Sequence, residues 1–341
     1  MTVKQDINGL IAARIEDAWP GTALVGDPVP LTGGFWASMY RLRLSGQPPE
    51  IPSEVVFRIA PDAAMGAKEC AVQGAVSELG FITPRVRVQD GGDQVLGGTW
   101  SVMDFAQGVP PLGNLSGLGA LRVAPKLFVA LPKQLAASMA ALHALDPKSV
   151  TVAIDAAAPE VAWTVDELLG RFEARAEALG RDDLVRVVST LRQHRPARSQ
   201  EVVCHGDLHP FNLLVDATGA VTVVDWTASI LAAPAFDVAY TSMLLANPPL
   251  DASGPIGAMV GYAGRRLAKR FVRAYRRASP HHDLTNIEWY CALHGARMLL
   301  EVASMTAEDS ERAAQHPFNA LAPASTAAIF AMTGLTVQSL R

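Results

Sequence analysis

The chain has 341 residues, half of them hydrophobic and 18% charged, which allows a sizeable core and excludes wholesale disorder. Twenty-nine Lys and Arg against 33 Asp and Glu leave a net charge of −4, so overall charge makes no case for a nucleic-acid or membrane partner. Three widely spaced cysteines, Cys70, Cys204 and Cys291, include no CxxC pair; they exclude a disulfide framework and favour a reducing, cytoplasmic setting.

The first segment, "INGLIAARIEDAW", carries Ile7, Leu10, Ile11, Ile15 and Trp19 on one side of a helix and lacks the apolar run of a signal peptide. "FWASMYRLRL" and "EVVFRIA" read as strands, and "GAKECAVQGAVSELG" as a helix ending at Gly80. On that helix and its lead-in, Asp62 and Lys68 read as solvated charges. "ITPRVRVQD" and "TWSVMDF" are two further strands around a Gly-rich turn. Beyond Gly108 the period changes to helical, in "PKQLAASMAALHAL", "TVDELLGRFEARAEAL" and "DLVRVVSTLRQH". The segment 265–277, "RRLAKRFVRAYRR", holds seven basic residues, five of which share a broad helical face. It reads as a solvated surface or, more sharply, as an anion-binding patch. The uncharged stretch "HPFNALAPASTAAIFAMTGLTVQSL" is broken by Pro323 and Gly334 and reads as a buried or partly buried helix rather than a membrane span. The expected plan is α+β. A β-rich N-terminal lobe covers 1–106 and a mainly helical lobe covers 107–341.

Strands return at "CHGDLHPFNLLVDATGAVTVVDWT", residues 204–227. "EVVC" leads in; "FNLLVD" and "AVTVVDW" form a hairpin about the turn "DATG". Folding back brings Asp225 toward Asp207 and Asn212. Two carboxylates and an amide oxygen make a hard-oxygen set suited to Mg²⁺ with phosphate ligands. Asp207 and Asn212 stand in D-x-x-x-x-N spacing. In kinase-type phosphoryl transfer such an Asp takes the proton of the acceptor hydroxyl, and the Asn and the later Asp hold metal. The strand "VTVVDW" is apolar enough that Asp225 is expected to be buried with a partner.

"HGDLHPFNLLVD" followed by "VVDW" and "FDVAY" resembles the aminoglycoside phosphotransferase family, which shares the protein-kinase-like two-lobed fold. The resemblance extends over most of the chain. It implies that Asp237 braces the catalytic loop, with His205 in a supporting role, and that His209 is a loop residue. "LTGGFWASMYRLRL" looks like the phosphate-covering hairpin, here Gly33 and Gly34, although it is not a G-x-G-x-x-G. "VVFRIAP" would carry the basic residue for the phosphates, Arg58, an Arg where Lys is the alternative, with Glu69 as its partner. "WSVMDFAQG" would meet the nucleotide base through the backbone at Met103, Asp104 and Phe105. The later helices would line the acceptor pocket, with Glu288, Trp289, Tyr290, His294 and Arg297 as candidates.

The function this implies is transfer of the γ-phosphate of ATP or GTP, with Mg²⁺, to a hydroxyl of a small molecule such as an antibiotic, a sugar or an amino alcohol. No nucleic-acid or membrane partner is expected. Two alternatives stand beside it: a nucleotide-binding module of the same fold without transfer, and a metal hydrolase using His205, Asp207 and His209 as an H-x-D-x-H cluster. Pro210 argues against that cluster lying on a strand, and no complementary histidine pair occurs elsewhere.

Overall fold

A computed structural model describes residues 7–31, 37–93, 95–112, 117–197, 200–248 and 254–338. Gly33 and Gly34 lie outside the described residues. In chain order the elements are α1 (Ile7–Ala18), β1 (Ala23–Leu24), β2 (Val29–Leu31), β3 (Ser38–Ser45), β4 (Glu54–Ala60), α2 (Ala63–Glu78), β5 (Val86–Asp93) and β6 (Gly98–Asp104). Four helices follow: α3 (Gly117–His143), α4 (Pro147–Ala157), α5 (Val165–Ala178) and α6 (Asp182–Gln193). Then come β7 (Val202–Cys204), β8 (Leu213–Val215), β9 (Val221–Val223) and β10 (Ile230–Ala232). The chain closes with α7 (Ala235–Ala246), α8 (Gly254–Ala278), α9 (Ile287–Glu308), α10 (Ser310–Ala314), a 3-10 turn (Pro317–Leu321) and α11 (Ala322–Thr333).

Two compact units form. The first comprises Met1–Val109, Lys148–Val161 and Leu214–Thr227; the second comprises Pro110–Pro147, Ala162–Leu213 and Ala228–Arg341. The units are interleaved along the chain, so 148–161 and 214–227 join the β-rich part although they follow its last large strand by tens of residues.

The first unit is built on an antiparallel sheet ordered β1-β3-β4-β6-β5, with β2 also on β3. Strand side chains alternate between faces. Val55, Phe57 and Ile59 of β4 therefore join Ile11 and Ile15 of α1, together with Leu42, Leu44, Trp100 and Val102, in one core. Phe57 and Trp100 stack there at 5.3 Å. Arg58 points the other way, toward α2. That helix is capped by Asp62, whose carboxylate accepts from the Met65 N–H. Lys68, expected in solvent, is only 3% exposed: α2 buries a wide arc including Glu69, Val72, Gln73 and Val76, and position on that arc, not charge, decides burial.

The second unit is helical around α9. This helix is buried along most of its length, against α5, α6, α7 and α11 among others. Gly295 permits the approach of α11, since a Cβ there would lie 2.9 Å from the Ser325 carbonyl oxygen. The Thr164–Glu167 capping box starts α5. The C-terminal helix predicted from composition is α11, half-buried, with Gly334 in the left-handed region at its end. Among the described residues no single helix is long and apolar enough to cross a membrane; one bent pair, Phe128–His143 with Pro147–Ala157, passes by length and composition only. Two elements escaped the sequence reading. The β-branched "SVTVAIDAAA" is helical, as α4, and "ILA" pairs as β10 with β7.

Candidate active site

In the second unit the chain leaves β7 at Cys204 and turns through a loop that carries Asp207, His209 and Asn212. Two backbone N–H groups, of His205 and Gly206, donate to the two oxygens of Asp237 at 2.8 and 2.7 Å. Asp237 lies in the first turn of α7 and is 1% exposed. Burial opposes its ionisation, but His143, with His205 and the Gly206 N–H, outweighs that and holds its carboxyl below the usual range. His143 Nε2 lies 3.1 Å from Asp237, and its Nδ1 lies 2.7 Å from the Tyr275 hydroxyl. Tyr275 in turn meets His282 Nδ1 at 2.7 Å. Gly206 is required at the turn. Its φ is +77°, and a Cβ would come within 2.0 Å of the Ala228 carbonyl oxygen.

Asp207 is held from several sides. The Asn212 amide donates to its main-chain oxygen at 2.9 Å and to Oδ2 at 3.2 Å. The Tyr240 hydroxyl donates to Oδ1, and His209 Nε2 lies 3.5 Å from Oδ2. Burial would raise its pKa; His209, Arg297 and Tyr240 reverse that and keep the carboxylate ionised well below the usual range. Arg297 donates to the Gly206 carbonyl at 2.6 Å and lies over the Tyr240 ring at 5.2 Å. Burial pushes the Tyr240 phenol far up, so it stays a donor. One turn beyond Arg297, burial also raises the Glu301 carboxyl, with Arg297 partly offsetting it.

Of the five candidates for an acceptor pocket, Arg297 alone makes a described contact with this loop. Glu288 is exposed. Trp289 is buried and donates to the Leu191 carbonyl, and Tyr290 packs edge-on against Trp289 and Phe236. His294 is fully buried between Phe236 and Tyr240. Its Nε2 is 2.9 Å from the Phe236 carbonyl, and Nδ1 has no partner. Tyr240 escaped the sequence reading, although its place three residues after Asp237 in "FDVAY" puts both on one side of α7. His209, read as a plain loop residue, lies beside Asp207, with Nε2 3.5 Å from Oδ2.

The first unit carries a second polar cluster. Arg58 pairs with Glu69 at 2.6 Å, both nearly inaccessible. Thr227 Oγ1 lies 3.1 Å from Glu69 Oε2 and 2.8 Å from Asp225 Oδ1, so its one hydroxyl proton serves one carboxylate at a time. Arg58 also reaches Thr227, at 3.4 Å. Burial, with Asp225 adding and Arg58 opposing, pushes the Glu69 carboxyl up to about 7. Asp225 is exposed, not buried as expected: the apolar strand β9 ends at Val223, and Trp226, not Asp225, fills the core, with its indole N–H on Thr83. Asp225 is the one non-glycine at positive φ among the described residues, at 69°, a conformation costing about 1–3 kcal/mol and concentrated at functional sites. The turn between β8 and β9 forms as read, with Asp216 accepting from Thr218 and Ala220 and Gly219 at positive φ. At the end of β6, Met103 is buried, Asp104 is clamped by Arg87 at 2.6 and 2.9 Å, and Arg41 lies over the Phe105 ring at 4.2 Å.

In the second unit Asn212 donates its N–H groups to Asp207, and in the first unit Asp225 accepts from Thr227 at Oδ1; the Asn212 amide oxygen and the Asp225 carboxylate are each oxygen ligands of the type that a hard cation takes. An H-x-D-x-H centre does not form: His205 turns its Nδ1 to the Asp207 N–H. Among the described residues the grouping of metal-ligating type is instead His143, Cys204 and Asp237, where Asp237 is already occupied by two N–H groups.

The profile of the phosphotransferase enzyme family matches residues 28–284. The chain belongs to this family. It is a phosphotransferase with an alcohol group as acceptor, on the kinase-like α+β fold. No curated protein sequence matches it. Among solved structures, a Ralstonia eutropha JMP134 protein provisionally classed as an aminoglycoside phosphotransferase superposes with a TM-score of 0.65 at 18% identity, over 94% of this chain and 95% of that one. A thermostable variant of aminoglycoside phosphotransferase APH(4)-Ia, in ternary complex with ADP and hygromycin B, gives 0.58 at 15% identity, covering 92% and 98%. An ethanolamine kinase of Plasmodium vivax gives 0.59 at 12% identity, covering 94% and 87%. At these identities the likeness speaks to the fold.

Proposed function

We propose that this phosphotransferase transfers the γ-phosphate of ATP or GTP to a hydroxyl of a small molecule, either an antibiotic or a sugar or amino-alcohol metabolite. The observation that carries the reading is the Asp207 carboxylate: ionised, fixed by Asn212 and Tyr240, and mounted on a loop whose backbone is clamped by Asp237. Such a group orients an acceptor hydroxyl and receives its proton late, because a carboxylate of low pKa is a weak base. Arg58, held by Glu69, would contact the phosphates, and Gly33 and Gly34 would cover them. The nucleotide base would lie on the backbone at Met103–Phe105, where the chain leaves the sheet. Asn212 and Asp225 would hold Mg²⁺, which supplies charge neutralisation on the phosphates when bound. Positioning and fixed charge carry the rate in such chemistry. His205 and Asp237 support the loop.

The test is a transfer assay with ATP and GTP, each with Mg²⁺, across aminoglycosides, macrolides, sugars and amino alcohols. ADP with hygromycin B in one fold relative, GDP with kanamycin in another and the ethanolamine kinase set the breadth of that panel. Label transferred to one acceptor class, and lost in Asp207→Ala, supports the reading. Nucleotide-dependent thermal stabilisation without transfer to any class would favour a nucleotide-binding module instead.

A further inference from the structure

Helix α8 carries Arg265, Arg266, Lys269, Arg270, Arg273, Arg276 and Arg277 and no acidic residue. All seven are exposed. None has a carboxylate within ion-pair distance among the described residues. At roughly 100° per residue they fall, with Met259 and Tyr262, on one arc of about 140°. The opposite face is fixed: Phe271 and Tyr275 are fully buried, and Gly264 lies so close to α7 that a Cβ would meet the Leu245 carbonyl oxygen at 2.6 Å. The cationic arc is therefore held outward over about 18 Å of helix. Large apolar groups lie among the charges. Met259 is 65% exposed and Tyr262 56%, and on the adjoining α3 Val129 is 51% exposed. Arg270 joins the two helices, donating to the Phe128 carbonyl and lying over its ring at 4.7 Å.

We propose that the outer face of α8 docks this protein on an anionic lipid surface. With a net charge of −4, removing these seven charges leaves −4 − 7 = −11 for the remainder of the chain. A flat anionic partner is met by this face and repelled by the rest, whereas the phosphate backbone of a nucleic acid offers nothing to the exposed aliphatic Met259 and Val129. Those side chains partition into the headgroup boundary, where Tyr is favoured, while Arg and Lys meet lipid phosphates and carboxylates. The overall charge of −4 does not reveal this because the separation is local. The proposal does not depend on the phosphotransferase reading.

The experiment is flotation of the full chain with vesicles of phosphatidylcholine alone or with about 30% phosphatidylserine, at low and high salt. Binding is expected to the anionic vesicles only and to weaken with salt. Arg266→Glu/Lys269→Glu/Arg273→Glu should reduce the bound fraction at least tenfold. Met259→Ser/Tyr262→Ser, which keeps every charge, should reduce it severalfold. Reversing three exposed arginines elsewhere in the same unit, Arg171, Arg186 and Arg192, should leave binding intact. Circular dichroism verifies that each variant is folded. The idea is overturned if the wild type fails to float with anionic vesicles, if the distant reversals abolish binding as fully as those on α8, or if the chain instead retains duplex DNA or RNA in the same buffer without binding vesicles.

Discussion

Two carboxylates, nearly inaccessible Glu69 in the first compact unit and half-buried Asp207 in the second, are treated in opposite ways. In the first, Glu69 faces a single guanidinium and shares Thr227 with the Asp225 carboxylate, and its pKa is pushed up to about 7. In the second, Asp207 is surrounded by Tyr240, Asn212, His209 and Arg297 and is driven far down. Burial acts upward on both; the number of donors aimed at the oxygens decides the sign. The charge of Asp207 is thus met by its own neighbours in the second unit. The first holds two carboxylates against one arginine, one of them on strained backbone, an imbalance that an added cation would relieve.

The sharpest way to test the contrast is at Asp207. Asp207→Ala should lower turnover by about 10³-fold or more on the true acceptor, within the range of a lost positioned base, while nucleotide affinity stays within a factor of a few. Near-normal turnover would remove Asp207 from the chemistry and with it the functional difference between the units. Next in size is Asp237→Ala. It strips a carboxylate from two backbone donors and His143, and breaking such a buried arrangement costs about 3–5 kcal/mol. Urea unfolding reads this directly. A loss below about 1 kcal/mol would mean that the loop is held by something other than its clamp. In the first unit, Asp225→Ala should remove most of the Mg²⁺ dependence of nucleotide binding, seen as superimposed calorimetric titrations with and without the ion. An undiminished Mg²⁺ effect would leave the Asp225 strain without a purpose.

How far such groups could be read from sequence depends on how local their partners are. The D-x-x-x-x-N spacing, the DATG turn and the VVDW strand end are fixed by a few consecutive residues, and those elements form as read. The pairing of Arg58 with Glu69 is implied by the family resemblance; the structure forms it because β4 and α2 are consecutive and the side chain next to Phe57 faces the helix. Tyr240 and Thr227 were passed over, although each lies within three residues of a group already singled out; hydroxyls carry no charge pattern to reveal them. Arg297 was found only as one of five candidates, because its contacts with Gly206 and Tyr240 join residues 91 and 57 positions apart. The burial of Lys68 and the exposure of Asp225 reversed expectation for one reason: each was judged by the polarity of its neighbours in sequence, and the chain orients single residues against that average.

The smallest expected effect separates the units most cleanly, because its sign differs between them. Glu69 has a folded pKa raised from the ordinary value of 4.5 to about 7. The folded state binds its proton more tightly than the unfolded one, so its stabilising share is present below 4.5 and is lost as pH rises through 7. In the second unit burial pushes His294 down to about 3 and His282 to about 4, from 6.5. There the unfolded chain takes up protons that the folded one refuses, so stability is present above 6.5 and falls as pH drops, by up to about 1.4 kcal/mol per pH unit for each group. The windows overlap between about pH 4.5 and 6.5, where the two contributions oppose one another, so single substitutions in urea unfolding between about pH 4 and 8 separate them. Glu69→Gln should steepen the rise of stability with pH below about 7. His294→Gln, which keeps a donor for the Phe236 carbonyl, should make that rise shallower. If both substitutions moved the slope in the same direction, the opposite signs assigned to Glu69 and His294 would be wrong.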